Sequence, residues 1–183
     1  MAHCLIRGYS WLFAPIRVGT NSQLLRVDRR RPSLMQIRQA KIDDVDALVA
    51  FNQAISRETE DKELDAETLT RGVIRFLSQD HYGFYTVAEI DGEVAGSLMI
   101  TYEWTDWRNG VIWWIQSVYV SAEHRRKGIY TALYENARLL AGDASDVRAI
   151  RLYMEKDNEV ARQTYQKLGM QETYYRIFEA EYP

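Results

Sequence analysis

Residues 118–134 read VYVSAEHRRKGIYTALY, and the fold turns on that stretch. An apolar, β-branched run ends at Val120, and polar and basic residues follow. One glycine, Gly128, then stands before Ile129, Ala132, Leu133, Ala137 and Leu140, which recur at helical spacing. The spacing predicts a strand, a basic turn and the start of a helix, in that order. The first turn of a helix presents N–H groups without acceptors at the positive end of the helix dipole, so it is a ready site for an anion. Arg125, Arg126 and Lys127 add positive charge where a polyphosphate would lie. A solvated basic cap would have the same composition, so the turn alone leaves both readings open. No GxxxxGK(S/T) loop occurs and no GxGxxG follows a first strand, which sets the chain apart from P-loop and dinucleotide-binding folds.

Upstream, VIWWIQSVYV (residues 111–120) is too apolar on both faces to be a sheet edge. Its neighbouring Trp113 and Trp114 must face opposite sides of the sheet. In GFYTVAEIDGEVAGSLMITYEW (83–104) two strand-like runs flank Asp91-Gly92, a hairpin signal because both central residues of that turn need positive φ. Further back, MQIRQA (35–40) alternates as a short strand. Asp43 and Asp44 then open a helix with Ile42, Val45, Leu48, Val49 and Ile55 on one face. A charged loop, SRETEDKEL (56–64), leads to a second helix capped by Asp65, with Leu69, Val73, Phe76 and Leu77 inward. Downstream, AIRLYM (149–154) reads as a strand, DNEVARQTYQKLGM (157–170) as a capped helix closed by Gly169, and YYRIFEAEY (174–182) as a final strand. The order β-α-α-β-β-β-α-β-α-β predicts an α/β fold, a mixed sheet with helices on both faces.

At 183 residues, 46% hydrophobic and 12% aromatic, the chain supplies the core of one domain. The single cysteine, Cys4, excludes a disulfide framework and a cysteine-based zinc site, and three scattered histidines argue against a His-rich metal cluster. The chemistry is expected to be metal-free and to suit a reducing, cytoplasmic compartment. Charge is uneven. Residues 1–34 hold Arg7, Arg17, Arg26, Arg29, Arg30 and Arg31 against Asp28, a balance of +5. The whole chain has 23 basic and 26 acidic residues, so residues 35–183 keep 17 against 25, a balance of −8. The basic leader shows no period of strand or helix, and its apolar patch from Trp11 to Ile16 is too short to span a membrane. It reads as a poorly ordered extension over 1–34, with Met35 a candidate initiator and the domain proper at 35–183. An acidic body without a basic helix face argues against a nucleic-acid partner, and no segment argues for a membrane.

The helix over 157–170 sharpens the reading. Asn158, Ala161 and Tyr165 stand at i, i+3 and i+7 and so project from one face. Singly they are a cap, a packing residue and a core aromatic. Placed one strand after a basic glycine turn, they form a second signature.

With both signatures in order, residues 35–183 resemble the GCN5-related N-acetyltransferase (GNAT) family. Its Q/R-x-x-G-x-G/A turn is similar to Arg125-Arg126-Lys127-Gly128-Ile129-Tyr130. Its N-x-x-A-x-x-x-Y-x-x-x-G-F/M helix is similar to Asn158, Ala161, Tyr165, Gly169 and Met170. Tyr130 departs from the pattern, standing where the family has glycine or alanine. The resemblance implies a mostly antiparallel central sheet and acetyl-coenzyme A as co-substrate, with no metal. It implies a pyrophosphate on the backbone of residues 125–131, Thr131 included, and a pantetheine arm along Val118, Tyr119 and Val120, touching Asn158 and Ala161. It also implies a homodimer.

Amide formation needs a neutral amine, a donor for the oxyanion and a proton for the leaving thiolate. By the same resemblance Tyr165 is the general acid and the Val118 N–H the oxyanion donor. A phenol with pKa of about 10 stays protonated at neutral pH and lies near the thiol value of about 8.5. Around TYEWTDWRNGVIWWIQSVYV (101–120) the chain resembles polyamine and diamine acetyltransferases, whose base is a glutamate on the central strand. Gln116 stands there instead and takes no proton. Glu103, Asp106, Glu60 or a water chain are the remaining candidates. The acceptor site is expected from EWTDW (103–107) and the charged loop near Glu58 and Glu60, with Trp104, Asp106, Trp107 and Gln116 offering tryptophan faces, a carboxylate or a hydrogen bond to a small-molecule amine. Two other readings share the motifs: an acyl-CoA-binding module without catalysis, and a protein or peptide N-acetyltransferase.

Overall fold

The computed structural model describes residues 34–180 and residue 182. Readings that fall on the basic leader, residues 1–33, lie outside the described residues. Five strands make one sheet in chain order: β1 (Met35–Gln39), β2 (Gly83–Ile90), β3 (Glu93–Thr105), β4 (Gly110–Val120) and β5 (Val147–Arg151). The first three neighbouring pairs are antiparallel and β4 pairs with β5 in parallel, so the sheet is mixed and mostly antiparallel as expected. Asp91 and Gly92 turn the β2–β3 hairpin with φ of 53° and 92°, the left-handed conformation that the dipeptide predicts.

Helices α1 (Val45–Glu60) and α2 (Ala66–Leu77) cover one face, and α3 (Ile129–Asp143) covers the other. The period-2 strands explain both layers. Leu98, Ile100, Trp113 and Ile115 meet Ile129, Leu133 and Ala137 of α3, while Tyr85 and Val87 meet Val45, Leu48 and Val73 on the opposite side. Leu48, Leu98, Ile100 and Leu133 are fully buried, so truncating one of them to alanine would cost about 2–5 kcal/mol. The Arg38 guanidinium ties β1 to the start of α1 and to β2. It donates to both oxygens of Asp44 at 2.8 Å and to Glu89 at 2.7 Å.

Two expectations are corrected. Residues 56–60 are not loop: α1 continues through Glu60 and is closed by Asp61, at φ 51°, while the Ser56 hydroxyl donates to the Lys62 carbonyl at 2.8 Å. An aspartate takes the left-handed closing position where glycine is the usual sequence signal. The final strand over 174–182 does not form, and the chain after α4 (Glu159–Lys167) carries no regular structure among the described residues. Strand propensity needs a neighbour, and β5 pairs only with β4. Tyr174, Tyr175, Ile177 and Phe178 are therefore exposed. Among the described residues no helix is long and apolar enough to cross a membrane, and no three His, Cys, Asp or Glu come together as a metal site.

Candidate active site

The site begins with an irregularity in β4. Ser97 pairs with Tyr119 and Met99 with Gln116, so β4 carries one residue more than β3 across that interval. Ser117 absorbs it as a bulge, at φ 45°. β5 accompanies β4 only from Val111 to Trp114, so among the described residues no strand lies beside the outer edge of β4 beyond that point. The Val120 carbonyl accepts from Arg125 Nε at 3.0 Å, and the remaining outward backbone groups from Val118 to Val120 are left for another extended chain.

The chain then passes a short 3-10 turn, Ala122–His124, and reaches Arg126 at φ 64° and Gly128 at φ 80°. A Cβ on Gly128 would meet nothing within 4 Å, so the glycine serves the backbone angle and not a close approach. α3 starts at Ile129 without a side-chain cap, and its first N–H groups have no acceptor within the helix. A cavity of about 430 Å³ opens over this corner. Of the residues expected at a cofactor, Val118, Tyr119, Val120, Arg125, Arg126, Gly128, Ile129, Tyr130 and Thr131 line it. Two arginines, free helix N–H groups and a free strand edge in one cavity fit a pyrophosphate carrying an extended amide arm.

Lys127, Asn158, Ala161 and the expected acid Tyr165 do not line the cavity, although Thr164 beside Tyr165 does. Asn158 caps α4, its side-chain oxygen accepting from the Ala161 N–H at 3.0 Å. Tyr165 points from α4 onto the ring of Tyr130, with centroids 5.9 Å apart and an edge-to-face angle of 62°. Partial burial holds its phenol above the ordinary tyrosine value, which already keeps the proton on at neutral pH.

Glu58, from the charged stretch expected near the acceptor, belongs to neither signature, and its contact with the basic turn is not among the sequence expectations. It sits in the last turn of α1 and, with Ile55 and Thr59, forms one wall of the cavity; His124 and Thr164 complete the lining. Its carboxylate receives Arg125 at 2.7 and 2.9 Å and the Tyr119 hydroxyl at 2.9 Å. Extending the helical stripe of Phe51 and Ile55 by three residues would have placed it on that face.

The expected acceptor residues divide. Gln116 donates to the Thr101 hydroxyl at 2.7 Å and accepts from Tyr153 at 3.4 Å. Next to it Glu103 accepts from the Trp114 indole and pairs with Arg151 at 3.3 Å, and that guanidinium lies over the Trp114 ring at 5.8 Å. Trp113 packs into the α3-side core, edge-on to Phe84 at 5.2 Å, so the two adjacent tryptophans take opposite faces as their spacing requires. Trp104 and Trp107 are exposed at the β3–β4 turn, where Asp106 accepts from the Trp107 N–H at 2.9 Å. Trp104 pairs with Val111. From there to Val118 is roughly 23 Å at about 3.3 Å per residue. Glu60 pairs with Lys62 at 3.0 Å on the outer side of the helix end and does not line the cavity.

Residues 46–170 match the acetyltransferase (GNAT) family. An N-alpha-acetyltransferase of Sulfurisphaera tokodaii is 27% identical over 146 residues, 75% of this chain and 80% of that one. Among solved structures, a possible acetyltransferase from Clostridium difficile 630 is 43% identical, with a TM-score of 0.77 over 82% of this chain and 99% of that one. A predicted acetyltransferase from Clostridium acetobutylicum, solved with acetyl-CoA, has the same fold, with a TM-score of 0.66 at 23% identity over 80% of this chain and 96% of that one.

Proposed function

The chain belongs to the acetyltransferase (GNAT) family and is an acetyl-CoA-dependent N-acetyltransferase; on that premise we propose that it acetylates a primary amine of a small cationic molecule by direct attack, with Tyr165 as general acid. The observation that carries the reading is the convergence of the basic turn, the bulged edge of β4 and an acidic wall in one cavity. Acetyl-CoA supplies the acetyl group as a thioester, with the thiolate as leaving group. Arg125, Arg126 and the first N–H groups of α3 hold the pyrophosphate, and the edge from Val118 to Val120 pairs with the amide arm. The Val118 N–H donates to the oxygen on which negative charge develops. Tyr165, a half-buried phenol that keeps its proton at neutral pH, delivers a proton to the leaving sulfur.

Gln116, held by Thr101 and Tyr153, is a hydrogen-bond partner for the amine and not its base. The amine proton leaves through water. A cationic acceptor is supported by Glu58 on the cavity wall and by the surplus of acid over residues 35–183. The row of exposed apolar side chains from Tyr174 to Phe178 supports a homodimer.

A second reading, acetylation of a peptide N-terminus, is favoured by the relative named an N-alpha-acetyltransferase. Coenzyme A release measured with diamines, amino acids and short peptides separates the two. Turnover confined to small amines supports the first reading, and turnover confined to peptides replaces it with the second.

A further inference from the structure

Arg125 is engaged by groups of the protein itself. Its two contacts to the Glu58 carboxylate, at 2.7 and 2.9 Å, cross 67 positions of sequence, its Nε donates to the Val120 carbonyl at 3.0 Å, and its guanidinium lies over the Tyr119 ring at 5.4 Å. Tyr119 in turn fixes Glu58 through its hydroxyl at 2.9 Å. All four groups line the same cavity. A phosphate reaching Arg125 meets a guanidinium whose Nε and Nη2 are engaged and a carboxylate of its own sign beside it. Both side chains are a little under half exposed, so the pair is a weak one that a doubly charged pyrophosphate can displace. The carboxylate so freed stays on the α1 wall, with Ile55 and Thr59, where an amine would neutralise it.

We propose that Glu58 is shared between the two substrates: it neutralises Arg125 in the free enzyme, yields Arg125 to the pyrophosphate of acetyl-CoA, and binds an ammonium of the acceptor. The proposal rests on the acetyltransferase reading above and goes beyond it in what it says of the acceptor. Acceptors with a second positive charge, besides the amine that reacts, are preferred. Linkage makes the effect reciprocal, so occupation of Arg125 and binding of the cation strengthen one another by one factor.

The test uses the full chain and titration calorimetry, with coenzyme A as the anion and 1,4-diaminobutane against butylamine as the cation. Glu58→Gln keeps the shape and removes the charge. It should bind coenzyme A about three- to tenfold more tightly, because no ion pair has to break, and in the presence of coenzyme A should bind 1,4-diaminobutane at least tenfold more weakly. A misfolded variant would weaken both, so the opposite signs are diagnostic. Tyr119→Phe, which only loosens Glu58, should tighten coenzyme A by a smaller factor. Unchanged or weaker coenzyme A binding in both variants overturns the proposal. So does equal affinity of the wild type for butylamine and 1,4-diaminobutane. Failure of the wild type to bind coenzyme A would instead overturn the placement of the pyrophosphate on which the proposal rests.

Discussion

Tyr130 and Tyr165, one at the start of α3 and the other in α4, stand edge to face with ring centroids 5.9 Å apart. Tyr130 is also the residue that departs from the small side chain usual at its position in the turn motif. Its ring occupies the space between the two helices and backs onto Tyr134 at 6.3 Å. The residue that departs from the turn motif thus packs against the proposed acid.

Tyr130→Ala should remove that support and lower kcat about tenfold, with little change in the KM for acetyl-CoA. Tyr130→Phe keeps the ring and should keep kcat. The Tyr130 hydroxyl is buried without a partner, so its removal should also be neutral or stabilising by about 1 kcal/mol, a rise in Tm of about 2–4 °C. Steady-state kinetics beside a thermal melt would read both, and a lower Tm for Tyr130→Phe would show that the hydroxyl has a partner.

Gly128→Ala should hold its place in the fold poorly for reasons of backbone alone. No atom lies within 4 Å of the added Cβ, but φ is 80°. The strain is about 1 kcal/mol, and the helix start should shift to relieve it, weakening coenzyme A binding at least tenfold. A melt and a coenzyme A titration check this, and wild-type affinity in the variant would remove the first turn of α3 from the site.

Ser117→Val tests the bulge. A β-branched residue resists the left-handed conformation seen at φ 45°, at a penalty of about 1–2 kcal/mol. β4 should straighten against β5, close the free edge, and lose acetyl-CoA affinity, while Ser117→Gly should retain it. Amide hydrogen exchange at Val118 and Val120 would report the closure directly. Unaltered exchange with normal affinity would show that the free edge is not what the substrate uses.

Acid should loosen the β1–α1 junction. Hydrogen bonds from the Arg38 guanidinium hold the Asp44 carboxyl below its ordinary value of 3.8, against the opposing effect of burial. With its folded pKa depressed, Asp44 contributes stability that is present above about pH 4 and is lost as pH falls through the folded value. Asp44→Asn should therefore flatten the acid limb of the stability curve and lower stability at pH 7 by about 2 kcal/mol. Denaturant melts at several pH values would show it, and parallel curves for variant and wild type would contradict the assignment.

What could be read in the sequence was local. Asp91-Gly92 carries its own turn, Asn158 its own cap, and the stripe of Ile129, Leu133 and Ala137 its own helix, because each signal lies within a few residues of its effect. What escaped was non-local. The strand pattern of residues 174–182 has no meaning without a paired neighbour, and no strand of the sheet pairs with it among the described residues. Glu58 reached Arg125 only through the fold, from a position read as loop because the helix ends on Asp61 in place of glycine. The acidic and aromatic cluster at the β3–β4 turn looked like an acceptor site by composition, while strand length sets it far from the basic turn.

The central claim is tested most directly by coenzyme A release from acetyl-CoA with the preferred amine, wild type beside Tyr165→Phe. The account predicts unchanged coenzyme A binding and a fall in kcat of about 10²- to 10⁴-fold, the loss expected when a positioned acid is removed. Tyr165→Phe turning over at the wild-type rate would contradict it and move the proton donor elsewhere.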